Sequence, residues 1–304
     1  MSNKSSTVAR LAERRLIGPP KWLPNAVCYE TMMGSVAYGV ASDTSDVDIY
    51  GICLPPKEMI FPHLAGEIPG FGTPIKRFEV YQEHHVKEPD ALGGHGHEYD
   101  FQIFSIIKFF QLAMENNPNI IDSLFTPASC VLHTTHIGNL IRDRRRDFLH
   151  KGAWHKFKGY AYSQVHKMDI KNPAEGSKRR DTIEQFGFDV KFAYHVVRLL
   201  DEVEQILIES DIDLQRNREQ FKAIRRGEWT AEQVREHFTR KEKELETAYL
   251  QSKLPHGPDE AKIKQLLLDC LEQHFGSLSE AVVVPNQERD LLRQIKALCE
   301  KAGV

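Results

Sequence analysis

The stretch that decides the fold is Gly34-Ser35-Val36-Ala37-Tyr38-Gly39-Val40-Ala41-Ser42-Asp43-Thr44-Ser45-Asp46-Val47-Asp48-Ile49-Tyr50-Gly51. From Asp46 it alternates polar and apolar with the period of a strand, so Asp46 and Asp48 share one face while Val47 and Ile49 point into a core. Two carboxylates held side by side repel, and a divalent cation is the usual compensation. Mg²⁺, a hard ion that takes carboxylate and phosphate oxygens, fits best, with Mn²⁺ as its substitute. Upstream, Gly34-Ser35 stands where a strand ends and a short helix starts. Backbone N–H groups there can approach a phosphate closely, and the Ser35 hydroxyl adds a donor. The plain alternative is a pair of surface carboxylates after a turn, because Ser42-Asp43-Thr44-Ser45 is turn chemistry in any case.

Outward from this stretch, short apolar or alternating runs bounded by Gly and Pro predict strands at 27–33, 47–54, 77–86, 98–104 and 130–134. Helices are expected at 104–115 and 119–125, the first starting directly from a strand. Near residue 136 the period changes. Val196, Leu199, Leu200, Val203, Ile206 and Leu207 repeat at threes and fours, and further helices are expected at 136–150, 152–168, 213–225, 230–251, 258–274 and 286–302. The expected fold is therefore α+β, a mixed sheet with helices over residues 1–135 followed by an all-helical domain over 136–304. Residues 65–99, rich in Gly and Pro, read as a loop beside the strand at 98–104.

A chain of 304 residues, with 41% hydrophobic and 27% charged residues, falls in the ordinary globular range and suggests about two domains. The net charge of −3 hides a pattern: residues 142–198 carry a net +7 between two flanks of −5 each. This is where a polyanion would be drawn if the side chains share a face; solvated helix faces are the alternative. Five scattered cysteines without a CxxC pair form neither a disulfide framework nor a zinc signature. With no apolar secretory core in residues 1–20 and no membrane-length apolar run, a cytoplasmic location without membrane association is expected. Arg10, Arg14 and Arg15 fit an amphipathic turn ended by Pro19 and Pro20 better than a transit peptide.

Gly-Ser, then Asp-x-Asp in an apolar strand, resembles the motif of the DNA polymerase β-like nucleotidyltransferase superfamily. Gly34-Ser35-x-Ala37-Tyr38-Gly39 with Ser45-Asp46-x-Asp48 is similar to the YcgL-type nucleotidyltransferases of bacteria and their phages. Asp100, Phe104, Ile106 to Phe109, Asn116-Asn117-Pro118-Asn119, and Lys191, His195 and Arg198 before Leu199-Leu200 extend the likeness over about residues 30–200. The resemblance implies a third carboxylate on a neighbouring strand. Asp100 is preferred because it alternates with Phe101 and Ile103 onto a polar face, and Glu98, two residues earlier, competes. It implies two-metal, in-line transfer of a nucleoside monophosphate from an NTP to a hydroxyl or an RNA end, with pyrophosphate leaving. Asp46, Asp48 and Asp100 would hold the metal; Gly34, Ser35, Tyr38 and Ser45 would belong to the nucleotide site. The acceptor would be a tRNA-like RNA end or a protein hydroxyl.

Other residues stay open. Lys108, in an apolar run, either snorkels from a buried helix or reaches a phosphate. Lys191, His195 and Arg198 fall on one helical face, which would close over the nucleotide or form a polar seam. His84, His85, His95 and His97 lack the partners of a zinc site and read as a solvated loop. The run Arg142–Asp147 is partly self-compensated and reads as an exposed helix face. Trp154, Phe157, Tyr160 and Tyr162 read as core packing before base stacking. A phosphatase of the haloacid dehalogenase type also uses Asp-x-Asp, but continues to Thr or Val where this chain has Tyr50. The competing functions are a non-catalytic nucleotide or RNA-binding module and an antitoxin-like partner of another protein.

Overall fold

The alternating runs form one five-stranded sheet in a computed structural model that describes residues 5–41, 46–61, 77–94, 96–169 and 178–277, with 295, 296, 298, 299 and 301. The strands β1 (Val27–Met32), β2 (Val47–Cys53), β3 (Val80–Glu88), β4 (His97–Ser105) and β5 (Val131–Thr134) lie in the order β3-β4-β2-β1-β5. β2 and β4 are parallel, and the other neighbours are antiparallel. Period-two alternation gives the sheet two different faces. On one, Val47, Ile49, Phe101 and Ile103 pack with Val8 and Leu11 of helix α1 (Thr7–Glu13). Glu30, fully buried in β1, reaches the first turn of α1 and accepts the N–H of Thr7 at 2.6 Å and of Val8 at 3.0 Å. Arg10 and Arg14 of the same segment bond Glu88 at the far strand. The N-terminal arginines thus belong to an amphipathic helix packed on the sheet.

The other face carries the remaining helices. Single turns α2 (Gly34–Ala37) and α3 (Lys57–Ile60) follow β1 and β2. α4 (Ile106–Met114) rises directly from β4, beginning two residues later than expected because Phe104 and Ser105 complete the strand. The Ser105 hydroxyl then caps the helix by accepting the Lys108 N–H at 3.2 Å. α5 (Pro118–Phe125) starts at a proline behind the Asn117 cap. α6 (His136–Asp143), α7 (Ala153–Met168), α8 (Lys178–Phe186), α9 (Val190–Glu209), α10 (Arg218–Arg225), α11 (Ala231–Gln251) and α12 (Glu260–Phe275) follow.

The helix expected over 136–150 ends at Asp143 and continues as a short 3-10 turn. That expected from 213 begins only at Arg218, because Gln205 holds the Asp213 N–H at 2.8 Å in a turn. The helix expected over 286–302 and the loop residues 62–76 lie mostly or wholly outside the described residues. One apolar core runs without interruption from Cys28 to Leu271, and Trp154 and Phe157 are buried in it. Among the described residues no helix is long and apolar enough to cross a membrane.

Beside that core, α5, α9 and the turn after α2 meet at a buried ion cluster. Arg198 donates to Asp122 at 2.5 Å and to both oxygens of Glu202 at 2.9 Å, and lies 4.1 Å over the Tyr38 ring. The Tyr38 hydroxyl donates to Asp122 at 2.8 Å. Burial raises Asp122 and, more strongly, Glu202 above the usual carboxylate range, while the guanidinium opposes the rise. Removing one member of such a cluster leaves uncompensated buried charge. Arg198→Met is expected to cost about 3–5 kcal/mol in urea denaturation, and Asp122→Asn with Glu202→Gln added to it should recover most of the loss.

Candidate active site

Parallel pairing of β2 with β4 sets Asp48 opposite Asp100 in the ladder, with Tyr50 opposite Gln102 one step along the same face. This face opens into a cavity of about 590 Å³ that Gly34, Ser35, Asp46, Asp48, Asp100, Lys191 and His195 all line. Gly34 has to be glycine twice over. Its φ is +63°, and a Cβ there would collide with the Asp48 carboxylate. The Met33 N–H donates to the Asp48 carbonyl at 2.7 Å, which ties the turn to β2. The spacing of Gly-Ser to Asp-x-Asp is therefore a direct packing relation.

Burial raises Asp48 above the ordinary carboxylate range; Asp100 and Asp46 push it further, and Lys191 opposes them. Asp46 is exposed at the mouth and Asp48 lies deeper. Hard oxygen donors crowded by their own charge suit a Mg²⁺ ion better than a soft one. Among the described residues no three His, Cys, Asp or Glu side chains already form a metal cage.

The two competing carboxylates of β4 separate. Asp100 lines the cavity, and its Oδ1 accepts the His85 N–H at 2.8 Å. Glu98 pairs with the His85 ring, with Nδ1 2.6 Å from Oε1. His84 and His85 thus lie in β3 and not in a loop; His97 opens β4 and stacks on Tyr99, and His95 lies outside the described residues.

The face 191-195-198 of α9 enters the cavity with three different chemistries. Lys191 is exposed and makes no ion pair among the described residues. His195 is kept neutral, its pKa well below the ordinary value because of burial and then of Arg198, Lys191 and Arg225. Arg198 also lines the cavity; its Nη1 donates to Asp122 and Glu202, while its buried Nε has no hydrogen-bond partner among the described residues. Tyr38 likewise forms the wall with its hydroxyl committed to Asp122.

Lys108 is a correction: it pairs with Glu79 at 3.2 Å and lines a separate hollow with Met59 and Phe78. Ser45 lies outside the described residues. The basic segment divides: Lys191 and Arg198 line the cavity, while Arg144 pairs with Asp147, Arg146 with Asp211, Lys156 with Glu115 and Lys158 with Glu242. Sequence reading missed Arg225, which lines the cavity, donates to the Val40 carbonyl at 2.5 Å and lies over the Tyr194 ring. No motif marks it.

Among solved structures, a nucleotidyltransferase-like protein from Exiguobacterium sibiricum 255-15 aligns over 87% of this chain and 89% of its own, at 9% identity and a TM-score of 0.27, and carries no argument here. No curated protein matches the chain. Residues 5–269 match RlaP, the RNA repair pathway DNA polymerase beta family. That span takes in Gly34, all three cavity aspartates, the α9 face and α10, and with it this chain belongs to the RlaP family of polymerase β-type nucleotidyltransferases.

Proposed function

We propose that the protein transfers a nucleoside monophosphate from an NTP to a hydroxyl, or to the hydroxyl of an RNA end, in a Mg²⁺-dependent reaction that releases pyrophosphate. The observation that carries this reading is the opposition of Asp48 and Asp100 in the β2–β4 ladder, with Gly34-Ser35 against Asp48 and the Lys191 ammonium in the same cavity. Asp46, Asp48 and Asp100 would hold the metal, which would supply positive charge to offset that developing on the phosphates. Ser35 donates its hydroxyl to the terminal phosphates, and Lys191 adds a point charge to them. Asp100 takes the proton of the acceptor hydroxyl. The acceptor oxygen bonds to the α-phosphorus as the bond to the α–β bridging oxygen breaks, and that electron pair leaves with pyrophosphate. The family's place in RNA repair favours an RNA acceptor over a protein hydroxyl.

Incubation with each α-labelled NTP, Mg²⁺ and RNAs of defined ends is expected to give labelled acceptor and equimolar pyrophosphate. Asp46→Ala and Asp48→Ala should each lower the rate by at least about 100-fold. No pyrophosphate with any NTP, or an unaltered rate in Asp48→Ala, would sink the reading. Salt-sensitive RNA binding that survives those changes without transfer would favour a binding module instead.

Asp48 also ties activity to stability. Its carboxyl binds a proton more tightly in the folded chain than in the unfolded one, so ionised Asp48 destabilises the fold above the folded-state pKa, and the penalty fades as pH falls through it. Asp48→Asn should therefore raise Tm by roughly 2 °C at pH 7 while abolishing transfer, and the gain should vanish in acid. Lys191 holds the Asp48 pKa down. Lys191→Met should shift the acid limb of the kcat/KM profile to higher pH, and an unmoved limb would show that Asp48 does not set it.

A further inference from the structure

Strand β3 pairs with β4 in register up to Glu83 opposite Phe101, and again from Val86 opposite Tyr99. Between these pairs two residues of β3, His84 and His85, stand against the single residue Asp100. That is a β-bulge, a device that leaves one residue unpaired and re-aims what lies beside it. His85 adopts φ +57°, a left-handed conformation uncommon outside glycine, which His adopts more readily than most residues do. Its N–H is diverted from the ladder to the Asp100 side chain, donating to Oδ1 at 2.8 Å. The His84 ring approaches the same oxygen, with Nδ1 at 3.5 Å, and the His85 ring holds Glu98 at 2.6 Å.

We infer that the His84–His85 bulge is the positioning element of the active site. Its backbone amide occupies Oδ1 of Asp100 and leaves Oδ2 to the reacting centre, while its imidazole pairs with Glu98. The bulge thereby orients Asp100 through the backbone. A bent edge strand and a left-handed histidine are unfavourable for the sheet taken alone, and both converge on the one carboxylate of β4 that lines the cavity. The inference rests on the functional reading above, and it concerns His84 and His85 as positioning residues that act through Asp100.

Deleting His85 tests it, because the strand then pairs regularly, His84 opposite Asp100 and Val86 still opposite Tyr99. The deletion removes the diverted amide without shifting the register on either side. His85→Gly is the companion variant: it keeps the bulge and the amide, removes the ring, and suits the positive φ. Mn²⁺ affinity, measured by electron paramagnetic resonance with a non-hydrolysable NTP present, reads the site without turnover. Circular dichroism melting reports on the fold.

The deletion is expected to weaken Mn²⁺ binding and lower kcat by at least about tenfold, with KM for the NTP within about twofold and the melting curve cooperative. His85→Gly should keep Mn²⁺ affinity and kcat within about threefold of wild type. Wild-type affinity and kcat in a folded deletion variant would overturn the inference while leaving the functional reading intact. Should the deletion fail to melt cooperatively, His85→Gly decides: a loss there as large as that of Asp100→Asn would show that the ring and not the amide holds the site, and would overturn it too. Mn²⁺ binding that is absent in the wild type, or unaffected by Asp48→Ala, would instead defeat the functional reading.

Discussion

Asp48 and Asp100 face one another from adjacent parallel strands, and holding two like charges together in a partly buried cavity is the constraint around which the neighbouring structure is arranged. Parallel neighbours need a crossover, and here the chain between β2 and β4 passes through α3 and then β3, which returns antiparallel on the outer side of β4. This route makes β3 an edge strand beside Asp100. An edge strand can be bulged with the loss of pairing on one side only, so it is the place from which the carboxylate can be adjusted. On the opposite flank β1 is followed by Gly34 at the start of α2, whose missing Cβ lets the turn lie against Asp48. Backbone thus meets the carboxylate pair on both sides, at Gly34 beside Asp48 and at the His85 amide beside Asp100.

Helix α9 supplies the opposite charge in graded form. Along its single face, Lys191 is exposed, His195 partly covered and Arg198 buried. Burial changes the state of each group: the ammonium is solvated, the imidazole is kept neutral, and Nη1 of the guanidinium is held by Asp122 and Glu202. Elsewhere in the +7 segment, Arg146, Lys156 and Lys158 pair with Asp211, Glu115 and Glu242.

Much of the site was legible in the sequence because it rests on short-range periodicity. Alternation from Asp46 to Tyr50 placed two carboxylates on one face, and alternation from Asp100 to Phe104 placed the third. The strand positions held within a few residues for the same reason. Lys108 was not decidable, since an apolar helix with one lysine has the same pattern whichever polar neighbour the lysine finds; here it finds Glu79. The role of Arg198 was legible only in part: Asp122 interrupts the apolar stripe Ile120, Ile121, Leu124 and Phe125 as Arg198 interrupts Val196, Val197, Leu199 and Leu200. Two opposite charges in two apolar stripes suggest a buried pair, but only the fold brings them together. The bulge was invisible because pairing register is a property of two strands, and the expected strand over 77–86 says nothing of how it pairs.

The helical half also bears on the phosphate-facing turn itself. α2 has four residues, too few to be stable as a helix on its own, since nucleation is unfavourable and one turn returns little of that cost. Its exit is held from elsewhere. Gln215 donates to the Ala37 carbonyl at 3.1 Å, Arg225 donates to the Val40 carbonyl, and Tyr38 is fixed between Asp122 and Arg198. Each contact crosses more than eighty residues of chain, and each satisfies a carbonyl or hydroxyl that would otherwise be left at the end of a one-turn helix. Gly39, at φ +68°, lets the chain turn directly beneath Arg218 and Gln215. The orientation of Ser35 toward the cavity is consequently a property of α5, α9 and α10 as much as of the motif in which it lies, and the helices act on the chemistry through the carbonyls of the turn.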